Sequence, residues 1–305
     1  MRKSLLITLL GLAVWGADAQ NTISGTTKKS TTVNKGTWQK GGLASFALAQ
    51  AGSRNWAAGG DRFSLSANAF LYLYANHTKG RGHWDNMFDA SYGLLKSRAM
   101  GLIKNDDKLE LTSRWNYELG KKELRHFRVG ALLNFRTQFV DGYDFDGETK
   151  RRISSFLAPG IFTFSPGVDY YSKGNSFNIH LGAASRSVLV ANRPYELAAN
   201  YGVVANREVR IEAGLHSVIN FNKEVVKNVN LRSALDLFSD FVAEDPANVD
   251  VYWTNNVNMR VNKWLNVIYS FDLKYDDNTR IFGFTKDKPG TQLKSILGVG
   301  ASVKF

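Results

Sequence analysis

The sequence predicts an all-β protein, a single transmembrane antiparallel up-and-down β-barrel of about twelve strands. Three observations carry this. Segment after segment alternates apolar and polar residues with a period of two, as a strand does when one face meets an apolar phase and the other a polar one. The connections between segments alternate short and long. The final strand alternates to its end, with Ser295, Leu297, Val299, Ala301, Val303 and Phe305 on one face. Lys294, Ile296, Gly298, Gly300, Ser302 and Lys304 lie on the other.

The amino terminus reads as an export signal. Arg2 and Lys3 precede an almost wholly apolar run from Ser4 to Trp15, then the cleavage pattern Ala17-Asp18-Ala19. Residues 1–19 are therefore expected to be a signal peptide, cleaved before Gln20. Residues 20–37, rich in Thr, Ser, Asn and Lys without periodicity, read as a flexible periplasmic tail. Residues 38–305 are left for the outer-membrane barrel. No later run reaches the roughly 18 apolar residues of a helical span.

Composition narrows the function classes. The 305 residues include no cysteine, which excludes disulfides and thiolate metal sites. A hydrophobic content of 44% is low for a helical membrane protein but fits a barrel, where every second strand residue is polar. The net charge of +12 is scattered along the chain, so no nucleic-acid surface is expected; outer-membrane lipid and lipopolysaccharide, or an anionic solute, are the natural partners.

Twelve alternating segments are expected near 38–51, 63–77, 84–95, 108–118, 127–140, 154–172, 177–188, 207–220, 228–240, 249–261, 265–275 and 292–305. In the fourth, Leu109, Leu111, Trp115 and Tyr117 oppose Glu110, Arg114 and Glu118. In the fifth, Val129, Leu133 and Phe135 oppose Arg128 and Arg136. In the eighth, Val209, Ile211 and Leu215 oppose Arg210, Glu212 and His216. The tenth and eleventh repeat the pattern, with Arg260, Asp272 and Lys274 on the polar face. The sixth departs from it: Pro159 and Pro166 predict a bent strand.

Connections after even-numbered segments run about 3–8 residues and those after odd-numbered ones about 8–18, as in an outer-membrane barrel with short periplasmic turns and long outer loops. Trp38, Trp84, Trp115 and Trp264 are then expected at the periplasmic membrane interface. Trp56, Trp253 and Tyr275 are expected at the outer one.

A charged strand face cannot point at lipid, where Arg or Lys at the midplane costs about 2–4 kcal/mol. Glu110, Arg114, Glu118, Arg128, Arg136, Arg210, Glu212, Arg232, Asp236, Arg260, Asp272 and Lys274 are therefore expected to line the lumen. Either they pair and fill it, or they line a water path that selects permeants by charge. The acidic stretch Asp141 to Glu148 reads as a solvated turn; its Asp-x-Asp-Gly core lacks the full ligand spacing of a calcium loop. His180 and His216 would face the lumen and could accompany a Ser and an acid. No nucleophile elbow or metal-ligand spacing accompanies them, so no catalytic residue, metal or cofactor is assigned.

The last strand, ending in Phe, resembles the closing strand of bacterial outer-membrane β-barrels, where Val303 and Phe305 would serve as an assembly signal read by the barrel-insertion machinery. Trp38-Gln-Lys40-Gly41-Gly42 and Asn55-Trp56-Ala57-Ala58-Gly59-Gly60-Asp61, with Phe46 and Gln50 between, resemble an uncharacterised family of Bacteroidota outer-membrane proteins with a domain of unknown function. The resemblance implies a barrel in the outer membrane and brings no catalytic residues. The functions left open are a passive, porin-like channel or structural barrel that could pass small anionic solutes, an accessory subunit of a larger outer-membrane assembly with protein partners, and a barrel-embedded lipid-modifying enzyme.

Overall fold

The computed structural model describes residues 36, 38–52, 63–97, 101–120, 124, 126–146, 149–192, 194–204, 207–283, 285 and 287–305. The expected signal peptide, all of the expected tail but Gly36, and Trp56 lie outside these residues. In chain order the strands are β1 (Trp38–Gly52), β2 (Phe63–Lys79), β3 (Gly82–Ser97), β4 (Gly101–Glu118), β5 (Phe127–Thr137), β6 (Gly142–Asp146) and β7 (Thr149–Ser154). Then follow β8 (Gly160–Tyr171), β9 (Phe177–Leu189), β10 (Val209–Val226), β11 (Val229–Asp240), β12 (Val249–Arg260), β13 (Leu265–Tyr275) and β14 (Gln292–Lys304). Twelve close into an antiparallel barrel in the order β1-β14-β13-β12-β11-β10-β9-β8-β5-β4-β3-β2. β6 and β7 form a separate hairpin.

The burial pattern is the reverse of a soluble sandwich. Leu111, Trp115, Ile211 and Leu297 are 47%, 54%, 69% and 60% exposed, whereas Arg114, Asp169 and Glu212 are 5%, 0% and 1% exposed. Because side chains alternate along each strand, one register sends every apolar set outward and every charged set into the barrel. Water would penalise such an outer wall, and hydrocarbon favours it. Strands of 11 to 18 residues reach or exceed the roughly 9–11 that a tilted span requires.

Three connections depart from expectation. The loop expected near 96–107 is mostly strand: β3 and β4 run to Ser97 and from Gly101, with a register shift at Gly93. Asn105, Asp106 and Asp107 interrupt the apolar alternation there. Yet Asp106 lies opposite Gly93 in the ladder, and Asp107 accepts hydrogen bonds from the backbone N–H groups of Phe139 and Val140. The acidic stretch is not a simple turn, because it starts the β6–β7 hairpin. The sixth segment begins late, at Gly160: Pro159 precedes the strand in a cis peptide. Pro166 lies within β8, and pairing with β9 lapses between Phe164–Ser185 and Gly167–Gly182, then resumes in the same register. The missing proline N–H thus interrupts the ladder without bending the strand out of it.

The barrel closes where β1 meets β14, from Leu43–Lys304 to Leu48–Val299. Gly42 N–H donates to the carbonyl of Phe305 at 2.8 Å, and Phe305 N–H donates back to Gly42 at 3.2 Å. The two glycines of the Trp-Gln-Lys-Gly-Gly motif have separate roles here. A Cβ on Gly41 would lie 2.6 Å from the hydroxyl of Tyr74, inside the barrel. A Cβ on Gly42 would lie 2.8 Å from both the Phe305 ring and Leu73, outside it. Gly42 is therefore the floor on which Phe305 covers the seam. Gly42→Val should displace that ring and reduce the heat-resistant, fast-migrating folded form on a semi-native gel, whereas Gly80→Ala, in the open β2–β3 turn, should reduce it less. Equal folded fractions for Gly42→Val and the unaltered protein would show that the seam tolerates the added methyls.

Candidate functional site: the charged lumen and its cap

The inward faces carry charges that meet across the bore. Arg232 on β11 forks onto Asp89 on β3, with its two terminal nitrogens 3.3 and 3.2 Å from the two carboxylate oxygens. These strands stand on opposite sides of the ring, so the pair spans its full width. Arg136 on β5 bonds Glu110 on β4 at 2.8 Å and Asp236 on β11 at 3.3 Å. Lys294 on β14 bridges Asp272 on β13 and Asp106 on β4, both at 2.7 Å. The Arg232 guanidinium lies 4.4 Å from the ring of Tyr72, and that of Arg136 lies 4.0 Å from the ring of Tyr252. Cations held over aromatic faces and forked onto carboxylates recover much of the hydration they give up.

Two further clusters flank this middle layer. Toward the end with long connections, Arg186 bonds both Glu212 and Asp250, and Arg210 also bonds Glu212. Toward the end with short connections, Arg128 bonds Glu118 at 3.1 Å, and His83 reaches the same carboxylate at 2.8 Å. Arg114 stands 3.6 Å from Asp169 and bonds Asn178. Arg260 lies at the rim, where it donates to the side chain of Asn228 at 2.6 Å in the β10–β11 turn. Lys274 lines a cavity bounded also by Asn134, Arg136, His216, Asp236 and Tyr252, with a volume of about 30 Å³. That is room for about one water molecule.

His180 completes a Ser-His-Asp series. Its Nε2 is 2.9 Å from Ser165 Oγ and its Nδ1 is 3.0 Å from Asp169 Oδ1, the connectivity of a hydrolase triad. All three residues are 0% exposed. A nucleophile must reach a substrate carbonyl, and this hydroxyl has no open approach; with Arg114 beside Asp169, the series ties β8, β9 and β4 together. His216 pairs with Asp236 at 3.0 Å. Asp250, Asp276 and Asp277 bring carboxylate oxygens within 4.8 Å of one another. Arg186 bonds Asp250, and Asp276 accepts from Thr279 Oγ1 and the Asn278 N–H, so this trio already has its donors.

A folded cap covers the end with long connections. Asp141, ahead of β6, accepts Ser155 Oγ at 2.6 Å and Arg152 Nε at 2.9 Å. The Ser155 hydrogen bond is the largest influence holding the Asp141 carboxyl below its ordinary range; burial opposes it, and the Arg152 charge adds to it. Arg152 also bonds Glu196 in a short helix, α1 (Pro194–Leu197). Tyr201 donates to the carbonyl of Ile153 at 2.7 Å, and burial raises its phenol above the ordinary range. Beneath them Ala158, Val190, Leu197, Ala198, Tyr201 and Val203 pack with Val188, an inward residue of β9. The cap thus has its own apolar core, rooted in the mouth of the barrel.

The outer wall carries the aromatic residues. Trp38, Trp84, Trp115 and Trp264 are exposed near the end with short connections, where Trp38 and Trp84 meet edge to face at 5.5 Å and Trp84 lies opposite Trp115. Trp253 and Tyr275 stand toward the other end, on β12 and β13. Val303 and Phe305 face outward at the seam, each more than half exposed.

A family model described as "Protein of unknown function (DUF3078)" matches residues 48–143, about a third of the chain. That stretch includes the Asn55–Asp61 motif and omits the Trp38–Gly42 one. Comparison with curated proteins gives no match. Among solved structures, the chain is similar to the COG4313 outer membrane channel from Pseudomonas putida F1, at 12% identity and a TM-score of 0.39, covering 90% of this chain and 97% of that one. It is also similar to the translocator domain of the autotransporter NalP from Neisseria meningitidis (8% identity, TM-score 0.33, 90% of each chain). A porin matches at 8% identity and a TM-score of 0.34, over 88% of this chain and 100% of the porin. Scores this low carry no functional inference, and the fold rests on the strand pairing itself.

The expected lumen set holds both partners of Arg136–Glu110, Arg136–Asp236, Arg128–Glu118 and Arg210–Glu212, one partner of several other pairs, and neither partner of Arg186–Asp250. Asp89, Asp106, Asp169, Arg186, Asp250 and Lys294 complete the network. All but Asp106 fell inside expected segments, and Lys294 had even been placed on the polar face of its strand. The alternation of β3 was available: Asp85, Asp89 and Ser91 share a face opposite Phe88 and Tyr92. Removing one partner of a buried pair leaves the other charge uncompensated, at about 3–5 kcal/mol. Asp169→Ala should accordingly lower the urea midpoint of the detergent-folded barrel markedly, and Arg114→Met combined with Asp169→Leu should recover much of the loss. Equal midpoints for Asp169→Ala and the unaltered protein would remove the Arg114–Asp169–His180 group from the stabilising network.

Proposed function

We propose that this protein is an integral outer-membrane β-barrel whose lumen is filled by an ion-pair lattice, and that it serves as a structural barrel rather than an open pore. The observation that carries this reading is the Arg232–Asp89 pair spanning the bore between opposite strands. The inverted polarity of the wall and its two aromatic levels support the membrane placement. Its partners are then the surrounding lipid and lipopolysaccharide, and the insertion machinery during assembly, with Val303 and Phe305 as the signal that machinery reads. Passage of small anions is the less supported form of the reading, because the lumenal arginines already face carboxylates: Arg136 with Glu110, Arg232 with Asp89, Arg186 with Glu212.

A second reading is an accessory subunit of a larger assembly. It is favoured by apolar residues left open on the long connections, Tyr195 at 91% and Val242 at 72% exposed. Purification from native membranes at natural abundance tests it by whether a stoichiometric protein partner remains attached.

Reconstituted in a planar bilayer, the unaltered protein should show no steady conductance. Combined replacement of Asp89, Arg136, Arg232 and Asp236 by Ser should produce conductance steps. A large, steady open state without any substitution would overturn the filled-lumen reading. In intact cells, an impermeant thiol reagent should label Tyr195→Cys on the cap and leave Lys173→Cys, at the β8–β9 turn, unlabelled. The reverse pattern would invert the topology.

A further inference from the structure

The outer wall bears a trough that follows a single hydrogen-bonded row of residues across six strands. The row is Gly41–Tyr74–Met87–Thr112–Asn134–Thr163, each residue opposite the next in the sheet. On one side of it the outward residues are bulky: Leu73, Phe88, Leu111, Phe135 and Phe162. On the other they are short or polar over the first strands: Ala75, Asn86 and Ser113, with Lys40 at the end. The difference in size sinks an apolar groove of about 730 Å³ into the wall, with Phe305 at its lower edge. Five inter-strand steps give it a length of about 24 Å. Because the strands are staggered, the groove begins near the start of β1, at the end with short connections, and rises to Phe162 near the opposite end of β8.

Its polar end is arranged in an unusual way for a wall that faces hydrocarbon. Ser113 Oγ donates to Asn86 Oδ1 at 2.8 Å, Asn86 Nδ2 donates to the carbonyl of Ala75 at 3.1 Å, and Trp84 Nε1 donates to Ser113 Oγ at 2.9 Å. These groups satisfy one another while remaining beside the groove. Lys40, one strand on, is exposed and has no ion-pair partner among the described residues. A free cation at headgroup height, a polar step next to it and an apolar trough leading away match the three parts of a glycerophospholipid: phosphate, ester region and acyl chain.

We propose that this groove seats one glycerophospholipid of the periplasmic leaflet, with its phosphate on Lys40, its ester region along Asn86 and Ser113, and one acyl chain in the trough between Leu73 and Phe162. A lipid so held is retained beyond the bulk lipid around the barrel, because the trough buries its chain on two sides and the lysine fixes its head. The proposal rests on the membrane placement argued above.

Native mass spectrometry of the folded barrel, released from nanodiscs containing dioleoyl phosphatidylglycerol, tests it. The unaltered protein should keep one phospholipid under activation that strips all others. Ala75→Phe and Ser113→Phe, which fill the trough at two separate points, should each lose that retained lipid. Lys40→Glu should reduce its retention about tenfold, with no change in retention of dioleoylglycerol, which has the same chains and no phosphate. Heat-modifiable gel migration shows whether each variant is folded. Undiminished retention in folded Ala75→Phe and Ser113→Phe barrels would overturn the proposal, as would a second copy of the chain, rather than a lipid, remaining bound. Failure of the unaltered protein to enter liposomes at all would overturn the membrane placement with it.

Discussion

Closure of the sheet is the constraint on which the rest depends. A strand edge in hydrocarbon leaves N–H and C=O groups without partners, at several kcal/mol each, so a ring with one pairing missing exposes two such edges. Here β1 and β14 supply it, and the exchange of hydrogen bonds between Gly42 and Phe305 carries the ladder to the final residue. Once the ring is closed, alternation has only two directions in which to send side chains. The charged faces of β4, β5, β10, β11 and β13 go inward, while Lys40, near the start of β1, stays on the outer wall. The inward charges must then pair with one another rather than with water.

That second requirement explains the lumen. A ring of twelve strands leaves a bore wider than short side chains can fill, so arginine, lysine and tyrosine do the filling. Arg136 and Arg232 each combine carboxylate hydrogen bonds with an aromatic face, so charge and volume are satisfied by the same residue. The cap answers the same need at one end by another means. The small apolar cluster around Leu197 and Tyr201 folds over the mouth, and its charged rim of Asp141, Arg152 and Glu196 faces outward.

Much of the ring was legible in the sequence, since period-two alternation in β4, β5, β10, β12 and β13 names both faces without reference to neighbours. The ion pairs were not, because Asp89 and Arg232 are 143 residues apart and nothing local to either announces the other. The β6–β7 hairpin was equally hidden: Thr149-Lys-Arg-Arg-Ile-Ser154 has no apolar alternation and takes its order from Glu196 and from the Ile281 carbonyl. The glycine pair at Gly41 and Gly42 stood out as a motif, but its division between the inner and outer walls depends on Tyr74 and Phe305, which come from other strands. Pro166 breaks the ladder on the β9 edge of β8 alone, because β5 still pairs along the other edge in an unbroken register.

The Arg232–Asp89 pair has a bearing on how such a barrel comes to exist. Its two ends lie on strands that face each other only when the ring is nearly whole. An incomplete sheet would therefore present an arginine and an aspartate to lipid with no partner for either, and Asp106 would lack the Lys294 that reaches it from β14. Partly built barrels are disfavoured by their own lumen. A route that completes the ring before lipid reaches the lumen face avoids that cost.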